Sequence, residues 1–366
     1  MNVMRIFAVK LFQRRSYRYA PLVIVLLTTY LAFHIQQDIR FIINKRDLNV
    51  NMSIPALTTT EIPFFSNTTE EELHIPDIRF PLDIDLEKAV RDKIESDIDI
   101  PHRAINGIRH RYVYHPPACE FSNTTEPFTL LILVKSSVRN MFMRDAIRET
   151  WGSELDENVK IAFLLGYSPL LRDTIAMEND AYNDIIMENF IDAYSNNTLK
   201  TIMGFHWAVN ECPTANVILF IDDDHLPHMR NIMSYLRSIR PDQLDDLYCG
   251  YRINKGPVTR GGRGRWAIPR TVYSHRYWPP YLRGGAFVVS QKIARKFAIA
   301  FPYVRFLHVD DSYLGLVSLK LNILPQHDIR FMMDKKEIAT QKQYFVFNDY
   351  KKPKDFKEGW ETITSQ

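Results

Sequence analysis

Downstream of residue 128, short unbroken apolar runs alternate with stretches of helical period. Residues 128–134 (FTLLILV), 159–165 (VKIAFLL), 217–221 (VILFI) and 286–290 (AFVVS) each read as a strand, that over 217–221 as fully buried. Between them, residues 140–151 place Phe142, Ala146, Ile147 and Trp151 at helical spacing and stop at Gly152. Residues 171–179 form a second expected helix, and Ile185-Ile186 opens an extended segment. Residues 198–212 read as amphipathic, with Leu199, Ile202, Met203, His206 and Val209 on one side. Helices are expected over 231–239 and 291–300, with a last one over 312–321, and a strand over 246–253. Residues 255–265 and 278–285 read as loops. The β-α-β-α-β alternation predicts an α/β, Rossmann-type, mainly parallel sheet flanked by helices.

Upstream the pattern changes. Residues 20–33 are an apolar run preceded by Arg5, Lys10, Arg14, Arg15 and Arg18, with no acidic residue before position 38. Positive charge on that side keeps it cytoplasmic, and no small-x-small cleavage site follows. The expected layout is a cytoplasmic tail over 1–18, a transmembrane signal anchor over 19–35, a luminal stem over 36–125 and a catalytic domain over 126–366. Recurrent Pro and polar segments suggest the stem, with one helical segment over 85–96. Four Asn-x-Ser/Thr sequons, at Asn51, Asn67, Asn123 and Asn196, all follow the apolar run and suit a luminal address. Cys119, Cys212 and Cys249 allow one disulfide and one free thiol in an oxidising lumen, with the pairing open.

Charge narrows the function. The 366 residues carry a net +3, yet the part after residue 37 holds 41 basic and 43 acidic side chains. That balance gives no nucleic-acid footprint. The 260–265 stretch (RGGRGR) then reads as a mobile loop over a site. The buried 217–221 strand ends in Asp222, Asp223 and Asp224, at the sheet edge where open α/β folds bind ligands. Three adjacent anions suit a hard divalent cation, and equally suit a polar turn. Asp310 and Asp311 open the last expected helix, as a second acidic cluster or as its N-cap. Arg144 and Arg148, one helical turn apart, can clamp a diphosphate or pair with Asp145 and Glu149 on a solvated face. His225 and His228 read as surface residues of a turn.

Several motifs occur in one order. Arg144-Asp-Ala-Ile-Arg148-Glu-Thr-Trp151-Gly is followed by Asp184-Ile-Ile, then Phe190-Ile-Asp-Ala-Tyr194-Ser-Asn196-Asn-Thr-Leu-Lys200-Thr. Asp222–Asp224, the 281–290 segment and Val309-Asp310-Asp311-Ser-Tyr313-Leu-Gly315 complete the series. Together they resemble the β-1,3-galactosyltransferase family, glycosyltransferase family 31, over residues 128–325. Residues 314–320 and 324–331 look most like its Brainiac branch, which transfers N-acetylglucosamine.

The resemblance implies a GT-A-like fold and a Golgi type II membrane enzyme. It implies inverting transfer of galactose or N-acetylglucosamine from a UDP-sugar to a glycan on glycolipid or glycoprotein, with Mn²⁺ or Mg²⁺. By the same resemblance, Asp311 is the catalytic base, and Asp222 and Asp224 hold the metal. Lys135, Arg144, Arg148, Asp223, Gly284 and Gly285 serve the donor, and Trp266, Tyr281 and Asp310 the acceptor side. Pro353 and Trp360 keep a C-terminal spacing, but Asn348 or a neighbour stands where the family has a His. That departure motivates an alternative, a catalytically silent carbohydrate-binding or escort protein. A cell-surface adhesion protein is a third reading.

Overall fold

The computed structural model describes residues 84–365, except 108–109, 122–126, 262–263 and 341. The expected tail and anchor, and the sequons at Asn51, Asn67 and Asn123, lie outside the described residues. Among the described residues, no helix is long and apolar enough to cross a membrane.

In chain order the main elements are α1 (Leu86–Ser96), β1 (Tyr112–Tyr114), β2 (Leu130–Lys135), α2 (Met141–Glu149) and β3 (Val159–Tyr167). Next come α3 (Arg172–Tyr182), β4 (Ile185–Ile191), α4 (Asn197–Glu211), β5 (Val217–Asp222), β6 (Leu226–Pro227) and α5 (Met229–Ser238). Then follow β7 (Tyr248–Ile253), β8 (Tyr281–Ser290), α6 (Gln291–Ala300), α7 (Asp310–Lys320), β9 (Gln326–His327), β10 (Met333–Asp334), β11 (Val346–Asn348) and α8 (Pro353–Thr364).

Eight strands form one sheet in the order β1-β4-β3-β2-β5-β8-β7-β9. The central β4-β3-β2-β5 block is parallel, as the alternation of elements requires; β8 runs antiparallel to both β5 and β7. A second, three-stranded sheet joins β10, β11 and β6. The two faces of the main sheet carry separate cores. One gathers Leu131, Leu133, Phe205, Phe220 and Phe287 under α4, α6 and α7; the other gathers Ile132, Ile147, Trp151, Leu219 and Phe356 under α2, α5 and α8. All six residues of β2 are buried, which explains why its sequence is apolar without alternation.

Four expectations change. The folded unit begins upstream of residue 126. In α1, Leu86 and Val90 are buried in the first core, β1 pairs antiparallel with β4, and Cys119 is disulfide-bonded to Cys212. Pro-rich spacing hid these short elements, although the 85–96 helix was legible. Helix α4 is buried on more than the expected face. Thr198, Lys200, Thr201, Phe205, Trp207 and Ala208 are covered, because the helix lies between the sheet and α6. A Cβ on its Gly204 would meet Leu164 at 2.7 Å and Phe220 at 2.9 Å, so the bare Cα sets how closely α4 approaches. Residues 281–285, read as loop, extend β8. Finally, α7 is not the last helix: α8 follows, with Phe356 and Ile363 buried against the second core.

Candidate active site

The site is built at the carboxyl ends of β2 and β5. Val217, Ile218, Leu219, Phe220 and Ile221 are all 0% exposed. At roughly 1.5–3 kcal/mol per fully buried apolar side chain, this burial fixes β5 despite the repulsion of the carboxylates at its end. The three acids then diverge. Asp223 turns inward, where its Oδ2 accepts from Ser136 Oγ (2.7 Å) and Asn140 Nδ2 (2.9 Å), and its backbone N–H donates to Lys135 O (3.1 Å). Asp224 is half-exposed, its Oδ1 lies 2.6 Å from His225 Nδ1, and its carbonyl accepts from Tyr350 N (2.9 Å). Oxygens of Asp222 and Asp224 and a nitrogen of His225 all lie within 4.8 Å of one another.

Parallel register sets Lys135 of β2 beside Asp222 of β5. The Lys135 ammonium is almost fully buried, and its three donors find three acceptors. These are Asp222 Oδ1 (3.0 Å), Asp310 Oδ2 (2.9 Å) and Gly284 O (2.8 Å). Burial alone lowers a lysine pKa, but the two carboxylates outweigh it and hold the ammonium protonated. Lysine 135 thus joins the end of β5, the start of β8 and the first turn of α7.

Asp310 also accepts from Thr201 Oγ1 (3.2 Å). Burial works against its ionisation, yet Lys135 wins and pulls the group below the usual carboxylate range. Asp311 is pushed the other way, up to about 6, by burial and by the Asp310 charge beside it. Its Oδ1 accepts from Ser312 N (2.6 Å) and Ser312 Oγ (3.2 Å); Oδ2 has no hydrogen-bond partner among the described residues. The N-cap of α7 is Val309, so neither aspartate occupies the cap position, although Asp311 does satisfy one first-turn N–H. One carboxylate is a structural ion-pair partner, and its neighbour keeps a free oxygen and a raised pKa, as a proton acceptor requires.

Two cavities meet at these acids. One of about 340 Å³ runs from Asp222 past Ser136, Asn140, Asp192 and Lys200. The other, about 560 Å³, holds Asp222, Asp224, His225, Asp310 and Asp311, with Trp266, Trp278, Tyr281, Arg283, Gly284, Gly285 and Asn348 on its walls. Lys135, Tyr194, Asn197, Asp222 and Asp224 border both. At the junction Trp266 Nε1 donates to Tyr194 Oη (2.6 Å), and the Arg265 guanidinium stacks on both rings. Arg265, the last residue of the 260–265 stretch expected to cover a site, and Trp266 next to it therefore stand at the rim.

Arg144 and Arg148 are the expected donor residues that the structure does not bring to either cavity. Arg144 is 0% exposed and grips Glu178 through Nε (2.7 Å) and Nη2 (2.6 Å), while Nη1 reaches Ser136 Oγ and Ser137 O. Arg148 pairs with Asp184, Glu178 and Asp145 and lies over the Phe163 and Tyr182 rings. The diphosphate-clamp expectation is corrected: α2 packs on the sheet, so its arginines face α3. The solvated-face alternative also fails for Arg144, and Glu149 pairs with Lys357 instead. Arg144 acts on the site through Ser136, which in turn holds Asp223, and through the carbonyl of Ser137 on the wall of the smaller cavity.

Other residues were missed. His225 and His228 are not surface turn residues; His225 binds Asp224, and His228 is 7% exposed. Asp192, Tyr194 and Lys200 sit inside the 190–201 motif but were not among the expected site residues. Lys200 donates to Ser136 O (2.6 Å) and Asp192 Oδ2 (3.0 Å), and Asp192 also accepts from Gly166 N. Asn196 precedes α4, its Nδ2 donating to Ile191 O (2.8 Å), and its sequon partner Thr198 is buried. Asn348 has a buried Oδ1 without a partner among the described residues and lines the larger cavity.

A family model described as Galactosyltransferase matches residues 143–329, a span that runs from α2 to beyond α7 and includes both acidic clusters. The chain belongs to the galactosyltransferase family. The family expected from the motifs is thus the family found. Relatives in this family include "Beta-1,3-galactosyltransferase brn" of Drosophila melanogaster, 37% identical over 212 residues, covering 56% of this chain and 65% of that one. "Lactosylceramide 1,3-N-acetyl-beta-D-glucosaminyltransferase" of Homo sapiens is 33% identical over 254 residues, 66% of each chain. "Beta-1,3-galactosyltransferase 1" of Mus musculus is 35% identical over 233 residues, 62% of this chain and 70% of that one. The chain spans about two thirds of the length of these relatives. Within the galactosyltransferase match lie Arg144, Asp222–Asp224, Gly284 and Asp311; Lys135 and Asn348 fall outside it.

Proposed function

We propose that this chain is an inverting β-1,3-glycosyltransferase of GT-A-like fold, moving galactose or N-acetylglucosamine from a UDP-sugar to a glycan hydroxyl on glycolipid or glycoprotein. The observation that carries the reading is the convergence of two acidic clusters on one cavity, tied together by Lys135. Asp311 suits the base: its free Oδ2 takes the proton of the acceptor hydroxyl as the hydroxyl oxygen attacks C1 of the sugar and the bond from C1 to UDP breaks. The smaller cavity suits the nucleotide, with Asp192 and Lys200 on its wall, and the aromatic rim at Trp266 and Tyr281 suits the acceptor.

The family implies a divalent cation, and the residues present fit one. Asp222 and Asp224 offer clustered oxygens, and Asn348, whose buried Oδ1 has no partner among the described residues, lines the same cavity. When bound there, Mn²⁺ or Mg²⁺ supplies charge neutralisation to the UDP leaving group. A Golgi luminal address on a type II anchor over 19–35 is supported by the basic N-terminal flank and by a disulfide, Cys119–Cys212, of the kind that persists in oxidising compartments.

Full-length protein incubated with UDP-Gal, UDP-GlcNAc and UDP-GalNAc, Mn²⁺ and an acceptor panel tests this. Transfer from one donor is expected. Asp311→Asn keeps UDP binding and loses turnover by about 10²–10⁴-fold, whereas Asp224→Asn loses metal-dependent UDP binding. Full activity in either variant removes the role assigned to that residue. Absence of transfer and hydrolysis with every donor favours the silent carbohydrate-binding alternative.

A further inference from the structure

The turn that follows the acid triplet places an imidazole in an unusual setting. His225 N–H donates to Asp222 O (3.1 Å), which folds the ring back onto the carboxylates. Its Nδ1 then meets Asp224 Oδ1 at 2.6 Å, and its side chain is only 12% exposed. The opposite edge of the ring leans on β8. A Cβ placed on Gly285 would lie 2.2 Å from Nε2, 2.8 Å from Cε1 and 3.0 Å from Cδ2. Neither nitrogen therefore offers an open lone pair: one is engaged with Asp224, and the other is packed against a bare Cα.

A histidine that coordinates a cation directly must turn a nitrogen lone pair toward it. This one instead holds a carboxylate. We propose that His225 is a positioning residue of the cation site: Nδ1–H donates to Asp224 Oδ1, fixes that carboxylate, and leaves Oδ2 for the ion. Gly285 is the seat that makes this ring position available. The proposal rests on the metal reading given above and refines it, because clustering alone groups His225 with Asp222 and Asp224 as a third ligand. It also reassigns Gly285 from donor contact to support of His225. Carboxylates that hold metals depend on such hydrogen bonds, and their loss typically weakens metal affinity by 10–100-fold.

The test uses the purified full-length chain and Mn²⁺ in the presence of UDP, with affinity read from the free-Mn²⁺ electron paramagnetic resonance signal. His225→Ala is expected to weaken Mn²⁺ binding by about 10–100-fold. His225→Asn, whose amide nitrogen falls near the place of Nδ1, restores affinity to within about threefold of wild type, and His225→Gln, whose amide reaches toward the Nε2 place, does not. Gly285→Ala weakens binding like His225→Ala, and the double variant is no weaker than His225→Ala alone, since the clash and the hydrogen bond are one interaction. Electron spin-echo modulation of the bound Mn²⁺ is expected to show no directly coordinated ¹⁴N. Unchanged Mn²⁺ affinity in a folded His225→Ala overturns the proposal. A strong ¹⁴N coupling that disappears in His225→Ala also overturns it and makes His225 a ligand. Wild-type protein that binds no Mn²⁺ overturns the metal reading itself, and with it this refinement.

Discussion

Replacing Lys135 by methionine removes the cation that joins the two acidic clusters among the described residues, while roughly keeping the length and apolar volume of the side chain. The structure sets the size of the effect. Three hydrogen bonds of 2.8–3.0 Å vanish at once, to Asp222, Asp310 and Gly284 O. Asp222 is about a third exposed and recovers part of its solvation, but the Asp310 side chain is 16% exposed and keeps the Thr201 hydroxyl as a donor without any neighbouring cation to replace Lys135 among its hydrogen-bond partners. Breaking a buried pair by deleting one partner costs about 3–5 kcal/mol, because the surviving charge is left uncompensated. For a domain of this size that lowers the melting temperature by roughly 6–20 °C. Differential scanning calorimetry and urea unfolding of the purified protein measure it. The same argument fixes the rescue. Adding Asp310→Asn removes the stranded charge, so the double variant regains most of the stability without regaining activity. A Lys135→Met protein as stable as wild type, or a double variant less stable than the single one, refutes the charge-bridge argument.

Three further predictions concern the base and Arg144. Asp311 must be ionised to accept a proton, and its pKa is raised to about 6, so kcat/KM is expected to fall as pH drops through about 6, and the acidic limb to vanish from the residual activity of Asp311→Asn. The stability sign is opposite. A carboxylate raised from 3.8 to about 6 binds its proton more tightly when folded, so the favourable contribution is lost as pH rises from about 4 to 6. Asp311→Asn is therefore expected to be more stable than wild type at neutral pH, by up to about 3 kcal/mol. For Arg144→Met, loss of the bidentate Glu178 contact should cost about 3–5 kcal/mol of stability, while UDP affinity per folded molecule changes less than about threefold. A hundredfold loss of UDP binding at unchanged stability would restore the clamp reading.

The central sheet was legible because buried parallel strands advertise themselves: β2 and β5 are apolar without alternation, β3 is so from Ile161 to Leu165, and the helices between them have clear stops. The ends of the fold were not. Strand β1 has three residues, β9 and β10 two each, and none has enough length to show a period. Helix α4 misled for a different reason. Its Lys200, Thr198 and Thr201 look like a solvated face, yet they are buried polar groups. Lys200 is held by Ser136 O and Asp192, and Thr201 donates to Asp310. A hydropathy pattern reports water exposure only when polar residues face water, and at a site they face each other.

The same reasoning separates the site residues that were read well from those that were not. Asp222, Asp224 and Asp311 stand at element ends, where chain position alone brings a side chain to the sheet edge. Arg144 and Arg148 lie within a helix, and the direction of a helical side chain depends on which face packs. Here that was decided by Glu178 on α3 and Asp184 before β4, 30–40 positions away. His225 is the sharpest case. Its place in a turn suggested exposure, and only the pairing of β5 with β8, which puts Gly285 next to the turn, shows why the ring lies inward. A side chain there and the His225 ring cannot both occupy that space. Glycine 285 therefore carries information about the acid triplet although sixty residues separate them, and that coupling becomes visible only when the strands are side by side.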